Sequence, residues 1–300
     1  AASGTNTIDA GDGADNITLS GGNNTVVAGS GNDIITASGG SNTIATDDGD
    51  NTVVLNAGTN SVSASVGADT VIANGGTNTI DAGAGDDTID LNDGTNWLAA
   101  GLGADTITLS GGDNTVLAGS GDDIITASGG TNTIATDDGD NTVTLAGGLN
   151  AVTANSGADT ITASSGTNTI NVGEGDNTIS LNNGINSVVA GSGIDTISVI
   201  NGTNTLDAGD GADVITLNGG DNTLYGGSGT DSITANDGTN VIDAGTENDT
   251  ITVNSGSNTI DAGAGDDKID LNNGTNSVVT GVGVDIITVT IGTNTIDAGN

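Results

Sequence analysis

The chain has no proline, cysteine, histidine, methionine or phenylalanine, a single tryptophan (Trp97), a single tyrosine (Tyr225) and a single basic residue, Lys268. Each absence excludes something. Without cysteine there is neither a disulfide framework nor a thiolate metal site. Without histidine as well, zinc and most transition metals lose their usual ligands, and only carboxylate, amide and carbonyl oxygens remain, which suit hard cations. No nucleophile–base pair can be assembled from His or Cys, and Lys268 lies beside Asp266, Asp267 and Asp270, where it reads as a surface ion-pair partner. The chain is therefore expected not to be an enzyme. A wide core is normally filled by large aromatic side chains, so the interior here must be thin and aliphatic. The formal net charge of −38 repels phosphate backbones and anionic lipid, which excludes nucleic acid as a partner. No apolar run is long enough to span a bilayer, so membrane insertion is not expected.

What is present is a period. Asparagine or aspartate recurs every nine residues without a miss, from Asn6, Asp15 and Asn24 to Asp285 and Asn294. Two residues before each stands glycine, failing only at Glu247; two residues after each stands Ile, Val or Leu. Such strict repetition signals a stack of near-identical coils. The Asn/Asp residue, the aliphatic residue two further on and the residue two beyond that alternate with threonine and other polar residues, so the first set shares one face of a short strand. The remaining residues form a glycine-rich turn, in which glycine supplies positive φ or close chain approach.

A second period overlies the first. Alternate nonapeptides carry Asn without exception, whereas the others carry Asp except at Asn51, Asn141 and Asn177. The structural repeat is therefore eighteen residues, two strands and two turns. The expected fold is all-β, a parallel β-roll or β-solenoid with two sheets of short strands back to back, and right-handed crossovers by the general preference. At a strand spacing of ~4.8 Å the chain would make a rod roughly 80 Å long. The segment Asp33–Val53 returns almost unchanged at Asp123–Val143, five coils later. No linker interrupts the pattern, so residues 1–300 read as one continuous solenoid segment.

The aspartate-side nonapeptides Ala10–Thr18 (AGDGADNIT), Ala82–Asp90 (AGAGDDTID), Ala190–Ser198 (AGSGIDTIS) and Gly226–Thr234 (GGSGTDSIT) resemble the RTX-type, hemolysin-type calcium-binding nonapeptide repeats. The resemblance implies a β-roll with calcium between successive turns, and secretion from a bacterium into a calcium-rich medium. A physical argument stands beside it. Aspartates stacked at ~4.8 Å repel by roughly 3 kcal/mol per neighbouring pair at an effective dielectric of 20, and a divalent cation reverses that sign. The candidate calcium ligands along this one edge are Asp15 and Asp33, then Asp69, Asp87, Asp105 and Asp123, then Asp195, Asp213, Asp231, Asp249, Asp267 and Asp285. Asp159, between Asn141 and Asn177, is expected to be a weak site.

The other edge departs from the family pattern. Its Asn column predicts a mostly metal-free amide ladder. Two turns with the sequence TDDGDN, Thr46–Asn51 and Thr136–Asn141, are either alternative calcium turns or plain acidic loops, the loop being the better reading. Glu247 in the glycine column is either a local bulge or an added ligand, the bulge being the better reading because a Cβ strains the turn.

The function expected is a calcium-stabilised extracellular rod, spacer or filament segment of a bacterial surface layer, adhesin or matrix. Two alternatives remain open: an ice- or surface-binding extender using Thr-x-Thr arrays such as Thr106–Thr108 and Thr160–Thr162, and the repeat segment of a larger secreted toxin or enzyme. The pattern starts and stops in mid-repeat, with no polar cap. That predicts either flanking sequence or self-association, head to tail at open strand edges or laterally through outward apolar residues.

Overall fold

The computed structural model describes residues 4–299. Every element in it is a β-strand, and Cα packing divides the chain into two compact units, one ending at Ala151 and the other beginning at Val152.

In the first unit the strands alternate between two parallel sheets. One contains four-residue strands that each follow an Asp-column residue: Thr70–Ala73, Thr88–Leu91, Thr106–Leu109, Ile124–Ala127. The other contains longer strands built around the Asn column: Thr77–Ala84, Thr95–Leu102, Asp113–Ser120, Thr131–Asp138. Each strand pairs with the one eighteen residues away, Thr88 opposite Thr106 and Asn96 opposite Asn114, so identical positions of the repeat stand in files. The second unit repeats this arrangement, with Thr196–Val199, Val214–Leu217 and Ser232–Ala235 in one sheet and Thr203–Asp210, Asp221–Ser228 and Thr239–Asp243 in the other. The period expected from sequence, eighteen residues per coil in an all-β parallel solenoid, is the one observed.

Strand formation follows from alternation. Along Thr88–Leu91 exposure falls on Thr88 and burial on Ile89 and Leu91, and the same pattern runs through Val214–Leu217. β-Branched Thr outside and Ile or Val inside suit a pleated, half-buried surface. The core of each unit is a file of aliphatic side chains with essentially no exposure, Ile89, Leu91, Leu98 and Ile107 in the first, Ile197, Leu206, Ile215 and Leu224 in the second. Burying each contributes roughly 1.5–3 kcal/mol.

The turns are narrow because glycine lets successive coils touch. Gly101 has φ +117°, and a Cβ there would lie 1.8 Å from the Gly83 carbonyl oxygen of the preceding coil. Gly101→Ala therefore forces both a left-handed alanine and a backbone displacement. The expected loss is about 2–5 kcal/mol, read as a fall in the urea midpoint at saturating calcium, whereas Gly39→Ala, with open space around it, should change little.

Glu247 takes the glycine conformation at φ +76°. The expected bulge is absent: the eighteen-residue offset holds on both sides of it, Thr246 bridging Ser228 and Ala264, and Asp231 N–H reaching Asp249. Its carboxylate instead accepts the Gly229 N–H at 2.9 Å and the Thr246 hydroxyl at 2.7 Å. That pairing holds its pKa below the ordinary glutamate range. Asp47 and Asp137 likewise adopt left-handed conformations, φ 58° and 60°, where most coils have glycine.

Candidate calcium column and amide ladder

Both polar columns point inward. On the asparagine edge each side chain is buried and linked to the next coil: Asn78 Nδ2 donates to Asn96 Oδ1 at 2.8 Å, Asn96 to Asn114 at 2.8 Å and Asn114 to Asn132 at 2.8 Å. The second unit continues alike, Asn204 to Asn222 and Asn222 to Asn240 at 2.8 Å. The other amide hydrogen goes to a carbonyl three residues back, as from Asn204 to Asn201 at 3.3 Å. The amide ladder read from sequence is thus present, with its donors satisfied. A further ladder was not foreseen. Exposed asparagines next to the aspartate-side strands also stack, Asn74 Nδ2 on Asn56 Oδ1 and Asn92 Nδ2 on Asn74 Oδ1, both at 2.9 Å. The signal for it was the recurrence of Asn eighteen residues apart just after the strand.

On the aspartate edge the geometry differs. Asp33, Asp69, Asp87, Asp105, Asp123, Asp195, Asp213, Asp231, Asp249 and Asp267 are buried, at most 2% exposed, while Asp15 and Asp285 are partly covered. Solvated turn residues would not look like this. From Asp33 onward one oxygen is used: Asp69 N–H donates to Asp87 Oδ1 at 2.7 Å, Asp87 N–H to Asp105 Oδ1 at 2.8 Å and Asp213 N–H to Asp231 Oδ1 at 2.8 Å. The other is not. Oδ2 of Asp15, Asp33, Asp69, Asp87, Asp105, Asp123, Asp195, Asp213, Asp231, Asp249 and Asp267 is buried without a hydrogen-bond partner. A buried carboxylate oxygen left unpaired is costly and calls for a proton or a cation.

Electrostatics point the same way. Burial pushes Asp87, Asp123, Asp213 and Asp249 up to about 7, against an opposing backbone N–H bond and with reinforcement from neighbouring carboxylates. Burial also raises Asp69, Asp105, Asp195, Asp231 and Asp267. These nine carboxyls resist ionisation unless positive charge arrives.

A second row of acids flanks the column, at the residue just before it, and sequence reasoning passed over it. Asp86 Oδ1 accepts the Ala104 N–H at 2.9 Å, Asp122 that of Asp140 at 2.9 Å and Asp176 that of Ile194 at 2.7 Å. The adjacent pairs Asp86–Asp87, Asp122–Asp123 and Asp266–Asp267 were its trace in the sequence. Among the described residues no three His, Cys, Asp or Glu side chains converge as a metal-holding group. A cation here would complete its shell with turn carbonyls, which calcium accepts readily. The donor set, one spare carboxylate oxygen at each aspartate coil with turn carbonyls in the same coil, fits a hard divalent ion. Bound there, calcium supplies the positive charge that the buried column lacks.

Comparison with known families points to calcium as well. The RTX calcium-binding nonapeptide repeat, taken four copies at a time, matches overlapping stretches that include residues 1–35, 36–71, 72–107, 108–143, 146–179, 180–215, 216–251 and 252–287. The chain belongs to the RTX calcium-binding nonapeptide repeat family. Among curated proteins nothing matches. One solved structure is similar, a hyperactive, Ca2+-dependent, beta-helical antifreeze protein from an Antarctic bacterium, at 19% identity, covering 90% of this chain and 84% of that one with a TM-score of 0.38.

The remaining features of this RTX chain are outward ones. Lys268 pairs with Asp270 and lowers that carboxyl's pKa, as a surface ion pair should. Threonines of both sheets form in-register outward files, Thr88 opposite Thr106 on one and Thr77 opposite Thr95 on the other, with shallow grooves between the asparagine-side columns lined by Thr79, Thr115 and Thr133. Among the described residues no helix is long and apolar enough to cross a membrane.

Proposed function

We propose that this RTX chain is a calcium-stabilised structural element working outside the cell: a rod, spacer or filament segment of a bacterial surface layer, adhesin or matrix. The observation that carries this reading is the file of buried Oδ2 atoms without donors, recurring at eighteen-residue spacing in both units wherever the column carries aspartate. A column of that kind is unfavourable in a calcium-poor cytosol and becomes favourable where calcium is millimolar. Folding is thereby tied to arrival outside. The interior of each coil is filled by its own side chains, and the grooves among the described residues are shallow and open, which favours a mechanical over a catalytic role.

The candidate ligands are Asp15, Asp33, Asp69, Asp87, Asp105, Asp123, Asp195, Asp213, Asp231, Asp249, Asp267 and Asp285, with turn carbonyls as their co-ligands. The test is a titration of metal-free protein at pH 8. Strand content by circular dichroism and the melting temperature should rise together as calcium reaches the millimolar range, and excess chelator should reverse both. A spectrum and melting curve indifferent to chelator would sink the reading.

The threonine files favour one second reading, in which a face of regularly spaced hydroxyls holds ice or another crystalline surface. Thermal hysteresis by calcium-loaded protein, lost when Thr106 and Thr142 are replaced by bulky Lys, is what that reading requires. The third, a segment of a larger secreted toxin or enzyme, turns on the sequence of the parent protein.

A further inference from the structure

Three coils carry asparagine in the aspartate column, and at each of them the side chain is closed on itself. Asn51 Oδ1 accepts the Asp33 N–H at 3.0 Å, the same bond that aspartate makes elsewhere, and its Nδ2 donates to the Gly49 carbonyl at 2.7 Å. Asn141 accepts from Asp123 at 3.0 Å and donates to Gly139 at 2.9 Å. Asn177 accepts from Asp159 at 2.9 Å and donates to Gly175 at 2.9 Å. All three are buried, 1% exposed.

The aspartate coils share this register. Asp87 and Asp105 make the same Oδ1 bond, and each is preceded two residues earlier by a column glycine, Gly85 and Gly103. Where asparagine carries an N–H donor, aspartate carries a second acceptor. It has no hydrogen to offer that carbonyl, and its Oδ2 stays buried without a partner.

We propose that Asn51, Asn141 and Asn177 are amide plugs. Each supplies, through its own Nδ2, the positive hydrogen-bonding end that a bound cation supplies at an aspartate coil, so a plugged coil takes no calcium and holds together without it. In the first unit the plug at Asn51 separates an Asp15–Asp33 block from an Asp69–Asp123 block. In the second, Asn177 sets Asp159 apart from the Asp195–Asp285 block. Two of the plugs, Asn51 and Asn141, end the TDDGDN turns, which are accordingly metal-independent acidic loops. The chain thus combines calcium-requiring blocks with fixed points from which a coil stack can grow before calcium binds. The inference deepens the calcium reading above and rests on it.

The test uses the full chain and two opposite substitutions. Wild type, Asn51→Asp and Asp87→Asn are titrated with calcium chloride in a calorimeter at pH 8, and each is melted in excess chelator. Asn51→Asp should bind at least one more calcium than wild type and melt lower in chelator. Asp87→Asn should bind at least one fewer and melt higher in chelator, by roughly 3–8 °C for removal of one unpaired buried carboxylate. If wild type binds calcium but the count is unchanged in both variants, the plugs are refuted while the calcium reading stands. If wild type binds no calcium, the calcium reading fails and the plugs fail with it. Should Asn51→Asp not fold, Asp87→Asn decides alone: a lower melting temperature in chelator would overturn the proposal.

Discussion

Metal-free protein should be more stable at pH 5 than at pH 8, the reverse of ordinary acid denaturation. Asp87, Asp123, Asp213 and Asp249 have folded-state values of about 7 against 3.8 for an unperturbed aspartate. A carboxyl raised on folding binds more protons in the native than in the unfolded state, so stability falls as pH rises between the two values. The window is therefore about pH 4 to 7: the penalty is absent below it and complete above it. Protonation also removes the buried charge and turns Oδ2 into a donor. Burial is the first cause in all four, and neighbours such as Asp69 and Asp105 around Asp87 raise it further, so these carboxyls titrate as coupled groups over a broad range. Discounted for water at the turns, each group contributes on the order of 1 kcal/mol, which for four moves the midpoint by roughly 10 °C. Saturating calcium should invert the slope, because the ion binds only the deprotonated form. Melting curves from pH 4.5 to 8.5, with chelator and with calcium, check both signs. A metal-free protein that grows more stable toward pH 8 would contradict the assignment of these carboxylates as buried and unpaired.

The sign of that prediction could not be read from sequence, although most of the architecture could. A nine-residue period with aliphatic residues two places after each Asn or Asp fixes which side chains face inward, because strand alternation leaves only two choices. Ile89 and Leu91 inside and Thr88 outside follow directly. The alternation of Asn and Asp columns likewise gave the eighteen-residue coil and the amide ladder, since identical amides stacked in register have one obvious partner. What a period cannot state is which atom of a side chain meets which atom of the next coil. That Asp87 Oδ1 takes the Asp69 N–H, leaving Oδ2 alone, depends on the backbone path through the turn. Glu247 was misread for a related reason: a rule about glycine in turns says what is favoured, whereas the bonds from Gly229 and Thr246 to its carboxylate compensate the strained φ. The flanking acids Asp86 and Asp122 were visible as Asp–Asp pairs, yet only the fold shows that they tie one coil to the next.

The two edges of the coil should respond oppositely to the same chemical change. On the aspartate edge, exchanging a carboxylate for an amide supplies a missing donor. On the asparagine edge, Asn204→Asp removes two donors already in use, to Asn222 Oδ1 at 2.8 Å and to the Asn201 carbonyl at 3.3 Å. Its Oδ1 still accepts the Asn186 amide at 2.7 Å, but the second oxygen meets two acceptors in a site 2% exposed. An uncompensated buried charge there should destabilise the second unit by about 3 kcal/mol or more, exceeding Asn204→Ala, which leaves one amide of Asn186 and one oxygen of Asn222 unpaired at about 1–3 kcal/mol. The ladder turns lack the calcium-repeat pattern, so millimolar calcium should not rescue Asn204→Asp. Urea unfolding of both variants, with and without calcium, gives the comparison. Rescue of Asn204→Asp by calcium to wild-type stability would mean that either edge can take the ion. The division of labour between a metal-requiring edge and a self-sufficient one would then be wrong.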